Sequence, residues 1–188
     1  MGGILVTGGA GFIGSHLVKR LVEKSFSVVV LDNFSSGKIE NLSNILDRIE
    51  VIKGDIRNSN IVEELISRVD IVIHLAAVSR VMPCIREPET CFSVNCGGTE
   101  LIARLCAKYG KRLVFASSRE VYGDAKYLPV DENHPLEPKN PYGASKVCGE
   151  AVIKAYSESY GLSYAILRLA NVYGEGDRDG VIPTLLRN

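Results

Sequence analysis

Short, almost unbroken apolar runs alternate along this chain with longer stretches in which apolar positions recur every third or fourth residue. The runs predict strands at 4–7, 27–32, 49–53, 71–75, 112–117 and 163–168, several of them apolar almost throughout, as buried parallel strands are. The helical spacing predicts helices at 12–24, 61–68, 88–108 and 142–160. The last is well bounded: Asn140 is a cap, Pro141 suits the first helical position and Gly161 follows the end. Strand and helix in regular succession imply repeated βαβ units, hence an α/β fold with a doubly wound parallel sheet and helices on both faces. One domain is expected over 1–170. Residues 171–188 read as the start of a second region, with 181–188 resembling a helix cut short. Two connections, 76–87 and 119–141, are long enough to suspect function, the second carrying Pro129, Pro135 and Pro138.

Composition agrees with a globular domain: of 188 residues, 46% are apolar and 23% charged, enough to bury a core. The formal net charge is zero and neither sign clusters, which argues against a nucleic-acid or anionic-membrane partner and for small molecules. No apolar run approaches the roughly 20 residues of a membrane span. Met1-Gly2-Gly3 opens neither a charged signal region nor a convincing myristoylation site, so the cytosol is the expected compartment. The five cysteines, Cys84, Cys91, Cys96, Cys106 and Cys148, are odd in number and include no Cys-x-x-Cys pair, which reads as buried free thiols rather than disulfides or a metal site. His16, His74 and His134 are scattered, so no metal is expected.

Candidate chemistry begins after the first strand, at Thr7-Gly8-Gly9-Ala10-Gly11-Phe12-Ile13-Gly14-Ser15. A pyrophosphate needs backbone N–H groups at close range with no Cβ in the way, and Gly8, Gly11 and Gly14 meet that need. The helix from Phe12 adds its positive end to the same anion. Glycines also serve ordinary turns, but here the strand before, the helix after and an acidic residue ending the next strand agree. That residue is Asp32, placed to accept ribose hydroxyls and to repel the extra phosphate of NADP, so NAD is the expected cofactor. Lys38 and Arg57 are nearby basic residues, but neither directly follows Asp32 as a 2′-phosphate binder would.

Tyr142 and Lys146 stand four apart at a helix start, which puts them on one face. An ammonium beside a phenol favours the phenolate, lowering its pKa from about 10 towards a usable base for hydride chemistry. Such a spacing arises often by chance as a surface pair. Its place after the strand 112–117, whose C-terminal end points at the cofactor cleft, supports the chemical reading, with Ser118 able to bond the same substrate hydroxyl.

Seven segments in order now carry a resemblance: Thr7 to Gly14, Gly54-Asp55-Ile56-Arg57, His74-Leu75-Ala76-Ala77, Val94-Asn95-x-x-Gly98-Thr99, Ser117-Ser118-x-x-Val121-Tyr122-Gly123, Pro141-Tyr142-Gly143-x-Ser145-Lys146 and Leu167-Arg168-x-x-Asn171-Val172-Tyr173-Gly174. From residue 3 to about 183 the chain resembles the extended short-chain dehydrogenase/reductases and, within them, the NAD-dependent nucleotide-sugar epimerase/dehydratase group, UDP-glucose 4-epimerases in particular. The resemblance implies a Rossmann-type domain, with most of a C-terminal substrate domain missing. It implies Phe12 and Ile13 at the pyrophosphate; Asp32 and Asn33, with Phe34, Ser36 and Gly37 after them, at the adenosine; and Asp55 and Ile56 at the adenine. Leu75, Ala76 and Ala77 would line the cofactor channel with Asn95 nearby, although Ile56, Leu75 and Ala76 would be apolar core in any such sheet. Tyr142 would be the base, Lys146 would bind the nicotinamide ribose, and Ser118, Glu120, Tyr142 and Asn171 would face a nucleotide-diphosphate sugar, of the UDP type.

The implied reaction is inversion at C4 by transient oxidation. Two departures bear on it. Arg119-Glu120 replaces the small residues that commonly follow the serine of epimerases, and Glu120 resembles the glutamate of sugar 4,6-dehydratases and UDP-glucuronate decarboxylases. Those dehydratases also carry an Asp before it, where this chain has Arg119; a loop carboxylate paired with Arg119 is the plain alternative. Cys84 stands where relatives often have Ser near the substrate, a nearly isosteric exchange that weakens a hydrogen bond. A cofactor-binding sensor without turnover is disfavoured by the joint presence of Ser118, Tyr142 and Lys146. A homodimer through helices 88–108 and 142–160 is the associated expectation.

Overall fold

The computed structural model describes residues 2–177 and residue 185. The helix expected at 181–188 lies, Leu185 aside, outside the described residues. In chain order the elements are β1 (Gly3–Thr7), α1 (Phe12–Glu23), β2 (Ser27–Asp32), β3 (Glu50–Lys53), α2 (Ser59–Ser67), β4 (Ile71–His74), α3 (Val81–Arg86), α4 (Pro88–Phe92), α5 (Gly98–Lys108), β5 (Arg112–Ser118), α6 (Pro141–Tyr160) and β6 (Tyr164–Leu169). The strands form one sheet in the order β3-β2-β1-β4-β5-β6, every pairing parallel. This is the doubly wound Rossmann-type order, whose direction reverses between β1 and β4. Ligands of such sheets bind outside the strand ends at that reversal.

Alternation along the strands feeds two cores. Ile4, Val6, Val28 and Val30 face Val18 and Val22 of α1, whereas Leu5, Leu31, Val72, Leu113 and Phe115 face the helices that carry Leu65, Ile102, Leu105 and Ile153. The central strands β1 and β2 are therefore buried on both faces, which is why their runs lack polar interruptions, whereas the edge strand β6 leaves Leu167 49% exposed. Each fully buried aliphatic or aromatic side chain contributes roughly 1.5–3 kcal/mol.

Local chemistry sets the helix ends. Asn140 Oδ1 accepts the Gly143 N–H at 2.9 Å, and Gly161 closes α6 at φ 72°, a left-handed conformation that favours glycine. Asn58 caps α2 by accepting the Ile61 N–H, so that helix begins slightly earlier than its apolar spacing predicts. Two expectations of regularity fail. The helix expected over 88–108 is broken: Ser93–Gly97 form a wide π-type turn between α4 and α5. Residues 39–48, with no element expected, wind as tight 3₁₀ turns that bury Leu42 and Ile45, three apart, against the β1–β2 face.

The cysteine expectation is corrected for one pair. Cys84 and Cys91, both fully buried, are joined as a disulfide with Cα atoms 5.1 Å apart; Cys96, Cys106 and Cys148 are free. The pairing arises because α3, inside a segment expected as loop, folds back on α4. Cys84 therefore offers no thiol to a substrate. Within the loop 119–141 the buried His134, 2% exposed, meets Tyr122 edge-on and lies tilted against the exposed Tyr127. His134 Nε2 accepts the Lys126 N–H at 2.8 Å, so Nδ1 carries the proton and donates to Pro135 O. No described helix is long and apolar enough to cross a membrane.

Candidate active site

The C-terminal ends of β1, β4 and β5 lie side by side and bring the loops after them together. After β1 the chain turns at Gly8, φ 72°, where a Cβ would come within 2.8 Å of Ala76 N. A Cβ on Gly14 would overlap Gly8 O, so α1 can start against the turn only if both positions are glycine. Gly11 ends the turn with extended backbone and no side-chain cap, so α1 presents its first-turn amides, including those of Phe12 and Ile13, at its positive end. This is the cradle an anion such as a dinucleotide pyrophosphate requires.

Asp32, 7% exposed, lies at the end of β2. Ala10 N–H donates to its Oδ2 and Phe34 N–H to its Oδ1, both at 2.9 Å, while Gly37 packs close to Oδ2. Each carboxylate oxygen keeps a lone pair for a ribose hydroxyl. Beyond it lies a cavity of about 510 Å³ lined by Phe34, Gly37, Lys38, Val51 and Lys53. Asn33 and Ser36, in the same segment, are exposed. Asp55 is gripped by Arg57 through Nε and Nη2, a hydrogen-bonded pair that holds its carboxyl at about 2. Ile56 is core, packed against Gly98, whereas Leu75, Ala76 and Ala77 are half-buried after β4.

Ser118, Tyr142 and Lys146 converge where β5 ends. Ser118, at the end of the strand, bonds Tyr142 and accepts the Glu120 N–H at 3.2 Å. Lys146, 3% exposed, donates to Ala116 O at 2.8 Å and lies 5.9 Å from the centre of the Tyr142 ring. The expected lowering of the phenol pKa is corrected here. Burial pushes the Tyr142 hydroxyl up, with the Glu120 charge adding to it and the Ser118 hydrogen bond opposing it. The ammonium is aimed at a backbone carbonyl instead, and burial pulls it down to about 8.

Glu120 is tied to helix geometry: Asn140 Nδ2, from the residue that caps α6, donates to its Oε2 at 2.9 Å, and Arg119 pairs with Oε1 at 3.0 Å. Arg119 Nε also reaches Asn171 Oδ1 at 3.5 Å, so Arg119 joins Glu120 and Asn171, the two residues of this cluster expected near a substrate. Asn95 sits in the π-type turn, where such turns often mark sites. Its amide is bound to Val78 N and O and to Ser145 Oγ rather than exposed to the channel.

One polar cluster was not foreseen. Glu150, 1% exposed, accepts from Ser117 Oγ at 2.6 Å and from Arg168 Nε and Nη2 at 2.9 and 2.7 Å. Arg168 Nη1 also donates to Tyr122 OH and Glu132 O, clamping the loop 119–141 to α6. A signal existed: Glu150 lies four residues after Lys146, on the same helix face.

Fold and site together define a dinucleotide-binding protein of the Rossmann class with a serine, a tyrosine and a lysine at the sheet's ligand edge. Residues 4–188 match the NAD dependent epimerase/dehydratase family, and the chain belongs to that family. A relative from Methanocaldococcus jannaschii, provisionally named a UDP-glucose 4-epimerase, is 47% identical over 175 residues, covering 92% of this chain and 56% of its own. The UDP-glucose 4-epimerase of Thermotoga maritima, solved with UDP-glucose, superimposes with a TM-score of 0.90 at 37% identity, covering 97% of this chain and 61% of that one. A dTDP-glucose 4,6-dehydratase from Streptomyces venezuelae, solved with NAD, gives 0.94 at 35% identity over 99% and 61%. The chain thus spans little more than half the length of the curated relatives it matches.

Proposed function

We propose that this chain is the NAD-binding domain of a nucleotide-sugar 4-epimerase, with a UDP-hexose such as UDP-glucose or UDP-galactose as substrate. The convergence of Ser118, Tyr142 and Lys146 beside the glycine cradle carries the reading. The cradle fits NAD because a Cβ at Gly8 or Gly14 would fill it. Gly8, Gly11, Phe12, Ile13 and Gly14 would hold the pyrophosphate, and Asp32, Asn33, Phe34, Ser36, Gly37, Asp55 and Ile56 would hold the adenosine. Leu75, Ala76, Ala77, Asn95, Tyr142 and Lys146 would hold the nicotinamide half. Residues 171–188 would open the substrate region. Bound there, NAD supplies a hydride acceptor that also returns the hydride.

Tyr142 takes the proton of the sugar 4-hydroxyl and gives it back after the ring has turned, while Ser118 holds the oxygen. The buried Lys146 ammonium orients the cofactor ribose. Asn171 faces the substrate diphosphate. Glu120 serves here as a brace for the α6 cap, through Asn140. The same carboxylate, whose charge reaches Tyr142, favours a second reading as a 4,6-dehydratase or decarboxylase. Pairing of two copies through α5 and α6 is part of the proposal; sedimentation tests it.

Incubating UDP-galactose with the enzyme that carries this domain together with its substrate region, and following UDP-glucose, tests the reaction, with bound NAD identified by mass spectrometry. Interconversion without NAD turnover is expected, and Tyr142→Phe should lower it about 100- to 10,000-fold while NAD stays bound. Glu120→Gln should leave interconversion within a few-fold. A 4-keto-6-deoxy product lost in Glu120→Gln would replace the epimerase reading with the dehydratase one. NAD binding with no product from any UDP-sugar would overturn both.

A further inference from the structure

Thr7, His74, Thr99, Asn95 and Ser145 are all buried, and two sets of hydrogen bonds that meet at Asn95, one on its backbone carbonyl and one on its side-chain amide, link the phosphate loop to the first turns of α6. The Thr99 hydroxyl donates to Asn95 O at 2.5 Å, which leaves its oxygen to accept from His74 Nε2 at 3.1 Å. Burial, with the Lys146 charge nearby, pulls the His74 imidazole down to about 3. The ring is therefore neutral and carries one proton, on Nε2. Nδ1 is then the acceptor for the Thr7 hydroxyl at 2.7 Å, and Thr7 Oγ1 in turn accepts the Ala76 N–H at 3.3 Å.

Beyond Thr99 the second set starts from the Asn95 side chain. Its Oδ1 accepts the Val78 N–H at 2.8 Å, and its Nδ2 donates to Val78 O at 3.1 Å and to Ser145 Oγ at 2.9 Å. Ser145 donates to Tyr142 O at 2.7 Å. Fixing the Thr99 proton thus fixes the ring proton and the Thr7 proton. Both ends matter to geometry, because Gly8 packs on the backbone of Ala76 and Tyr142 begins α6.

We propose that His74 is a positioning residue whose imidazole, protonated at Nε2 alone, holds the phosphate loop in register with the helix turn that carries Tyr142. The loop half stands on the glycine cradle, and the helix half rests on the role given to Tyr142 above. No imidazole atom need touch cofactor or substrate.

Nitrogen NMR of the full chain labelled at histidine reads the tautomer directly and needs no variant. The expected result is an unprotonated Nδ1 and a protonated Nε2 for His74, unchanged down to about pH 5. A proton on Nδ1, or on both nitrogens, would overturn the proposal. Two variants then divide these bonds. His74→Asn keeps an acceptor near Nδ1 and drops the donor; His74→Gln keeps a donor near Nε2 and drops the acceptor. With NAD as the calorimetric probe, His74→Asn should stay within about twofold of the parent, and His74→Gln should bind roughly five- to tenfold more weakly. Turnover at saturating NAD should fall roughly five- to tenfold in His74→Asn and less in His74→Gln. Equal losses of affinity and turnover in both variants would mark simple core damage and sink the idea. Absence of any sugar turnover would count against the proposed reaction instead, with the tautomer and the NAD affinities still deciding the case of His74.

Discussion

Replacing Arg168 by Met removes the guanidinium and keeps most of the apolar stem. Glu150, 1% exposed, then loses two charged donors at 2.9 and 2.7 Å and keeps Ser117 at 2.6 Å and a long contact to Lys154 at 3.8 Å. Breaking one side of a buried ion pair costs about 3–5 kcal/mol, most of it the burial of the partner left behind. For a chain of this size that is a fall in Tm of about 10 °C. The pH dependence is the sharper test. In the parent, burial pushes the Glu150 carboxyl up, but Arg168 and Ser117 outweigh it and the group titrates below its ordinary value. A depressed folded pKa means stability that is present above the unfolded value of about 4.3 and lost as the pH falls through the folded one.

Without Arg168 the burial effect has little to oppose it, and the folded carboxyl titrates above the unfolded one. The variant then gains, relative to the parent, as acid neutralises Glu150. Urea unfolding followed by far-ultraviolet circular dichroism at about pH 7.5 and pH 5 should show a large gap between parent and variant that narrows in acid. Adding Glu150→Gln to Arg168→Met should recover much of the loss, because neither charge then remains buried. A gap under about 1 kcal/mol at neutral pH, or one that does not narrow, would refute the account.

Lys146 gives a slope of the same sign as Glu150 in the parent, but in the alkaline range. Its folded value of about 8 lies below the unfolded value of about 10.4, so between the two the unfolded chain holds the extra proton and stability rises with pH; a Lys146→Met variant with the same slope as the parent would contradict this. Gly14→Ala drives a Cβ into Gly8 O, and NAD affinity measured by calorimetry should drop about tenfold or more with the fold intact by circular dichroism. Thiol titration of the denatured, unreduced chain should find three reactive cysteines and, after reduction, all five. Five before reduction would show Cys84 and Cys91 unpaired.

The central strands were legible because both of their faces are covered, so apolar runs such as Val28 to Leu31 carry no polar interruption. The last helix was legible for a local reason: Asn140, Pro141 and Gly161 set its ends through bonds within a few residues. The breaks at 93–97 and the turns at 39–48 were not, because Asn95 leaves the helical pattern to bind Val78, and Leu42 and Ile45 turn to meet a sheet face that local spacing cannot foresee.

The candidate site divides along the same line. Sequence by itself determined the glycine cradle, Asp32 at the strand end and the Tyr142–Lys146 spacing, since each depends on neighbours within one turn or one loop. Only the tertiary structure decided the proton states and partnerships: Lys146 turns to Ala116, Glu150 is neutralised by Arg168 from another strand, Cys84 meets Cys91 through a folded-back helix, and His74 is boxed between two threonines. Those outcomes depend on burial and on hydrogen-bond partners brought from distant parts of the chain, and both exist only once the sheet and its helices have closed around them.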